Sequence, residues 1–155
     1  MTSVEFDAFR SRTDREYAAE QVRAGNWTAD EAEERAAKLT NDLLPQGIET
    51  PGMLLLSAEN SDGVVVGHVW VALERQPGSS VGAWIYEFEI NSDQRGKGYG
   101  RELLHVAELE TAKRGVTAIG LNVFGPNVIA RNLYESAGYQ VTSSRMHKEL
   151  PPIFQ

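Results

Sequence analysis

The chain has 155 residues, 41% hydrophobic and 24% charged, enough for one globular domain with a core of useful size. It contains no cysteine, which excludes disulfides, thiolate metal sites and a cysteine nucleophile. A net charge of −7 argues against broad nucleic-acid binding and mildly favours a cationic or amine-bearing partner, although an acidic surface serves solubility equally well.

The opening "MTSVEFDAFR" is polar and lacks the apolar run of a secretory leader, and no stretch approaches bilayer-spanning length; a soluble, cytoplasmic protein is the expectation. Phe6, Phe9, Thr13 and Tyr17 recur at spacings of three and four, which predicts a helix with one buried stripe. In "NWTADEAEERAAKLTNDLLPQG" a second helix starts at Thr28, with Glu31 completing a capping box, and Ala32, Ala36, Leu39 and Leu43 forming one face. Pro45 and Gly47 end it, and the acidic run Asp30 to Glu34 reads as a solvated face near the positive helix N-terminus.

From Met53 the period changes. "MLLLSAEN", "VVVGHVWVAL" and "AWIYEFEI" read as strands, separated by the turn signals Ser61-Asp62-Gly63 and Gln76-Pro77-Gly78, and such short links predict antiparallel pairing. After Arg95 come a helix at about 98 to 114 closed by Gly115, the strand "AIGLNV", a helix from Asn127 to Ala137 closed by Gly138, and an extended segment near "YQVTSSRMHKEL". A strand, helix, strand unit needs a crossover, so the middle of the sheet is expected to turn parallel. The fold class is therefore a mixed α/β domain spanning 1–155, with N-terminal helices in 1–47 and a core in 53–150.

"SDQRGKGYGRELL" sets a glycine-rich turn between a strand and a helix, where unpaired amides and the helix dipole suit a phosphate. The nucleoside triphosphatase loop fails, because Lys97 is followed by Gly98 and Tyr99, and the dinucleotide fingerprint fails, because Arg101 stands where its third glycine belongs. Arg95-x-x-Gly98-x-Gly100 fits a third pattern, in which glycines let the backbone approach a diphosphate while Arg95, Lys97 and Arg101 add charge. The alternative is a plain strand-to-helix turn with solvated cations. A second constellation favours the phosphate: in "LNVFGPNVIARNLYESAGY", Asn127 is an N-cap, and Ala130 and Tyr134 follow at i+3 and i+7 on one helix face.

With "QRGKGYG" and "LNVFGPNVIARNLYESAGY" in the right order, the sequence from about Met53 to Leu150 closely resembles the GNAT superfamily of acetyl-CoA-dependent N-acetyltransferases. The resemblance implies a GNAT-like sheet flanked by helices and acetyl-CoA as co-substrate. It assigns Arg95, Gly96, Lys97, Gly98, Tyr99, Gly100 and Arg101 to the coenzyme A pyrophosphate, and the backbone of Phe88 and Ile90 to the pantetheine arm. Asn122, Asn127 and Ala130 would lie along the remainder of the coenzyme. Tyr134 falls where many members keep a tyrosine near the thioester sulfur, and a phenol of pKa about 10 can protonate a departing thiolate.

An alkylammonium of pKa about 10.4 must lose a proton before it attacks, which calls for a base. "YEFEI" offers Glu87 and Glu89 on one strand face, with Tyr86, Phe88 and Ile90 on the other. Glu87 is nearer the family's usual active-site level and is the favoured base, directly or through water; the alternative is that both carboxylates sit on an exposed face. Some relatives carry a glutamate on the next strand, where this chain has Asn122. His68, His105 and His147 have no metal-ligand spacing, and no metal is expected; His105 should be exposed, while His68 is a packed strand histidine or lines the acceptor pocket. Trp27, Trp70, Trp84 and Tyr86 are core, or the last three wall the acceptor site.

The implied reaction is direct acetyl transfer to a primary amine, small molecule or peptide, without an acyl-enzyme. Alternatives are a non-catalytic acyl-CoA sensor on the same fold and an enzyme for a longer acyl donor. Apolar residues in "LPPIFQ" could support a homodimer, and no nucleic-acid or membrane partner is expected.

Overall fold

Helix α1 (Ser3–Arg23) begins at a capping box: the Thr2 amide donates to the Glu5 carboxylate at 2.5 Å, and the Glu5 amide donates to the Thr2 hydroxyl at 3.3 Å. The computed structural model describes residues 1–74 and 82–151, which fall into two compact units, Met1–Asn122 and Val123–Gln155. The turn expected at Gln76-Pro77-Gly78 and all of "LPPIFQ" after Pro151 lie outside the described residues.

In the first unit, α1 buries Phe6, Phe9 and Thr13 as their spacing predicts, but the stripe then passes to Ala18; Tyr17 is 39% exposed and stacks edge-on against Trp27, with ring centroids 5.4 Å apart. Helix α2 (Ala29–Leu43) starts at Thr28, whose amide donates to Glu31 at 3.5 Å. Its buried face is Ala32, Ala36 and Thr40, and Leu39 is 42% exposed. Small side chains decide this: Ala18, Ala32 and Ala36 form the seam between the helices, a close approach that a leucine would block. Thr40 enters the seam because its hydroxyl donates to the Asp14 carboxylate at 2.5 Å.

The sheet runs in the order β1 (Met53–Glu59), β2 (Val65–Ala72), β3 (Ala83–Ile90), β4 (Ile119–Leu121). The first two pairings are antiparallel, and β3 to β4 is parallel through the crossover helix α3 (Tyr99–Ala112). The parallel pair stands at one side of the four strands rather than in their middle, because no strand follows among the described residues after Tyr139. The Asn60 side chain builds the first hairpin, accepting from the amides of Asp62 and Val64, each at 3.0 Å.

One face of the sheet packs on α1 through a cluster of Phe6, Phe9, Leu44, Leu55 and Trp70. On the other, α3 lies over β2 and β3 with Leu103, Leu104, Ala107 and Thr111 buried. Gly67 has a packing reason: a Cβ there would land on the Glu89 carbonyl oxygen and on Ile90. Gly67→Ala should therefore destabilise the fold by about 2 kcal/mol, read as a lower urea midpoint at constant slope.

In the second unit, helix α4 (Val128–Ser136) is capped by Asn127, whose side chain accepts from the Ala130 amide at 3.2 Å, and it buries Tyr134.

Candidate active site

Strand β3 departs from regular alternation. Trp70 of β2 pairs with Glu87 and Val71 with Ile85, so Tyr86 is an extra residue, a β-bulge. The bulge sends Tyr86 to the α1 face, where its ring lies 4.8 Å from that of Trp70 and packs on the Phe6 and Phe9 cluster. The expectation that Tyr86 shares a face with Phe88 and Ile90 is thus corrected. Glu87 and Glu89 oppose Trp70 and His68, both on the α1 side, so the two carboxylates do share that face. Pairing with β4 covers only Ala83–Ile85, and β3 runs on past it to Ile90.

Glu87 is half-buried rather than on an exposed strand face. Burial, and then the like charges of Glu16, Glu89 and Glu20, push its pKa up to about 7. Glu89 has a different setting. Its Oε2 lies 3.0 Å from Arg12 Nε, and its Oε1 lies 3.9 Å from an Arg95 amino nitrogen. Burial still raises its pKa, with Arg12 opposing, Glu16 adding, and Arg95 opposing. His68, with its side chain only 4% exposed, is a packed strand histidine. Arg12 Nη2 donates to its Nδ1 at 2.7 Å, which leaves the ring proton of the neutral form on Nε2, 3.6 Å from Glu89 Oε2. Burial, then Arg12, lowers the His68 pKa to about 4, so it is neutral at pH 7.

Composition hid this cluster. Arg12, Glu16 and Glu20 stand at i, i+4 and i+8 on α1, a charged stripe beside the apolar one that the apolar spacing does not single out. The periodicity was the available signal; the register against Glu87 was not.

The glycine turn follows β3 directly. Gly96 and Gly98 have φ of 76° and 90°, values that favour glycine, and an added Cβ at either would meet nothing within 4 Å. Gly98 is the N-cap of α3. The amides of Arg101 and Glu102 turn back to its carbonyl at 3.1 and 3.3 Å, so those of Gly98, Tyr99 and Gly100 have no intrahelical acceptor. The result is a helix N-terminus whose first amides lack intrahelical acceptors, beside a turn with room at its glycines, an arrangement that suits an anion. Arg95 Nε donates to the Ile90 carbonyl at 2.9 Å, and Lys97 Nζ to Gln94 at 3.0 Å. Asn122 is exposed one residue past β4.

In the second unit, Asn127 is exposed at the start of α4, Ala130 is half-buried, and Tyr134 is buried with its ring 5.6 Å from that of Tyr139. His105 and His147 are both exposed. Trp70 is core at 3% exposure, whereas Trp84 and Tyr86 are half-buried. Among the described residues no group of three or more histidine and acidic side chains is arranged to hold a metal, and no helix is long and apolar enough to cross a membrane.

The chain is similar to known proteins along most of its length. Residues 15–139 match the model of the acetyltransferase (GNAT) family. The chain is 35% identical over 150 residues to YycN, an uncharacterised N-acetyltransferase of Bacillus subtilis, covering 97% of this chain and 96% of that one. The crystal structure of YycN superposes with a TM-score of 0.86 at 34% identity, over 98% of this chain and 96% of the other. A mycothiol acetyltransferase of Propionibacterium freudenreichii is 35% identical over 120 residues, 77% of this chain but 35% of that longer protein. A family match that runs from α1 to Tyr139, through the bulged strand, the glycine turn and the capped helix α4, establishes that the chain belongs to the GNAT family of acetyltransferases.

Proposed function

We propose that the chain transfers an acetyl group from acetyl-CoA to a primary amine by direct attack. The observation that carries this reading is the turn at Gly96 and Gly98, whose left-handed backbone leaves space and unpaired amides at the head of α3 for the coenzyme diphosphate. Lys97 and Arg101 add positive charge there, and Arg95 flanks it. The backbone of Phe88 and Ile90, on the part of β3 beyond its pairing with β4, serves the pantetheine arm, while Asn122, Asn127 and Ala130 line the rest.

Glu87 takes the proton of the bound ammonium, directly or through water. Its pKa of about 7 suits that task, because a base poised near the working pH is both ionised and basic enough. The freed amine attacks the thioester carbonyl carbon, strand amides stabilise the oxyanion, and the carbon–sulfur bond breaks as Tyr134 donates its phenolic proton to the departing thiolate; the nitrogen, cationic after attack, loses its second proton through water, which returns a proton to the Tyr134 phenolate. No acyl-enzyme is needed. The acceptor is small-molecule or peptide, the protein works in the cytoplasm, and 1–155 acts as one transferase domain.

Titrating acetyl-CoA calorimetrically into wild type and Gly98→Glu, beside a thiol-release screen against pooled amines, tests this. Heat with wild type, its abolition in Gly98→Glu, and thiol release with some pool are the expected results. The variant sets a side chain and a negative charge where φ is 90° and the diphosphate belongs. Binding with no release from any pool would favour a sensor on the same fold, tighter binding of longer acyl chains would replace acetyl as the donor, and no heat with wild type would overturn the reading.

A further inference from the structure

Two carboxylates two residues apart on one strand face invite confusion over which is the base, and the structure treats them differently. Glu89 is committed. Its Oε2 meets Arg12 Nε at 3.0 Å, its Oε1 is 3.9 Å from Arg95, and Arg12 uses a second nitrogen to donate to His68 Nδ1 at 2.7 Å. The planar guanidinium thus spans β2 and β3 from α1, binding cross-strand neighbours, since His68 and Glu89 are partners in the sheet register. The same helix carries Glu16 and Glu20, one and two turns further on, and both act on Glu87. Among the described residues no cation forms an ion pair with Glu87.

We propose that Arg12 is a positioning residue: by gripping Glu89 and His68 together it fixes α1 on the sheet, commits Glu89 to an ion pair, and leaves Glu87 as the strand's proton acceptor. The proposal rests on the transferase reading for the reaction it serves. Facing Glu89 are Arg12 and Glu16 from α1, His68 from β2 and Arg95 from the glycine turn; facing Glu87 are Glu16 and Glu20 from α1 and Glu89 on its own strand. Arg12 therefore acts on Glu87 through Glu89. The guanidinium favours the ionised form of Glu89 against the effect of burial, and a charge on Glu89 resists ionisation of Glu87. Without the guanidinium, a half-buried Glu89 retains its proton to higher pH, and Glu87 loses a like-charged neighbour.

The test is a 13C carboxyl NMR titration of the labelled full chain, in wild type, Arg12→Gln, Arg12→Lys and Glu89→Gln. In Arg12→Gln the Glu89 midpoint should move up and the Glu87 midpoint down from about 7, in opposite directions. Arg12→Lys keeps a cation and should hold Glu89 near its wild-type midpoint. Simple loosening of α1 would admit water to both groups and move both midpoints down, and that result, or two unmoved midpoints, would overturn the proposal. Should Arg12→Gln fail to fold, Glu89→Gln decides, because Glu87 must then fall and an unmoved midpoint refutes its dependence on Glu89. The titration uses neither coenzyme nor acceptor. Failure of acetyl-CoA to bind wild type would sink the transferase reading, and an unmoved Glu87 would sink this one, so the two failures are distinguishable.

Discussion

Tyr134→Phe should lower turnover about 100-fold or more while leaving the acetyl-CoA dissociation constant within about twofold of wild type. The ring is buried on α4 and packs 5.6 Å from Tyr139, centroid to centroid; phenylalanine keeps that ring and removes only the oxygen. A loss confined to turnover therefore isolates proton donation from packing. The magnitude follows from the leaving group: an alkyl thiol of pKa about 8.5 departs as an anion unless a donor is in place, and a phenol of pKa about 10 can hold its proton until sulfur develops charge. Single-turnover kinetics with saturating acetyl-CoA provide the check. Unchanged turnover would remove Tyr134 from the mechanism. Equal losses in turnover and affinity would make its hydroxyl a binding group instead.

The parts legible in the sequence were those written in short-range chemistry. Thr28 with Glu31, Asn127 after Pro126, and the glycine-rich run around Gly98 act through neighbours within a few residues, so their spacing alone identified a cap, a second cap and a strand-to-helix turn. Antiparallel pairing of the first three strands followed from link length for the same reason, whereas the parallel pair, expected in the middle of the sheet, lies at one side of it. Tertiary competition was not legible. Tyr17 and Leu39 fit the apolar stripes of their helices, yet Ala18 and Thr40 take the buried places because two helices approach along small residues. The bulge at Tyr86 was likewise hidden, since "AWIYEFEI" has no glycine or proline to announce it. That one extra residue changed the site reading most, because it moves a tyrosine to the face that Glu87 shares. Arg12 shows the same limit: its place on a helical stripe is readable, but its two partners lie 56 and 77 positions away, on different strands.

Glu87→Gln should change the pH dependence of both rate and stability, and the pairing of the two makes the prediction demanding. With Glu87 as base, the reactive form is a carboxylate beside a bound ammonium. The wild-type kcat/KM for an amine should then rise tenfold per pH unit on the acid side, break near 7, and stay level until the amine itself loses its proton at about 10.4. Glutamine removes the break. Turnover at pH 7.5 should fall about 100-fold, and the remaining rate should climb steadily with pH, because only free amine can now react. Stability should move the other way. The folded-state pKa of Glu87 is raised from 4.5 to about 7, so between those values the unfolded chain ionises first, and wild-type stability is progressively lost as pH rises through that window. Glutamine does not ionise. The variant should therefore melt at a higher temperature than wild type at pH 8, with the difference shrinking as pH falls towards 4.5, measured by thermal unfolding across the range. A gain in stability together with a lost kinetic break would identify a carboxylate retained against the interest of the fold, held uncomfortable by burial and by Glu16, Glu20 and Glu89 so that it can accept a proton near neutrality. An intact break in Glu87→Gln would move the base elsewhere, and a melting difference independent of pH would show that Glu87 carries no raised pKa to use.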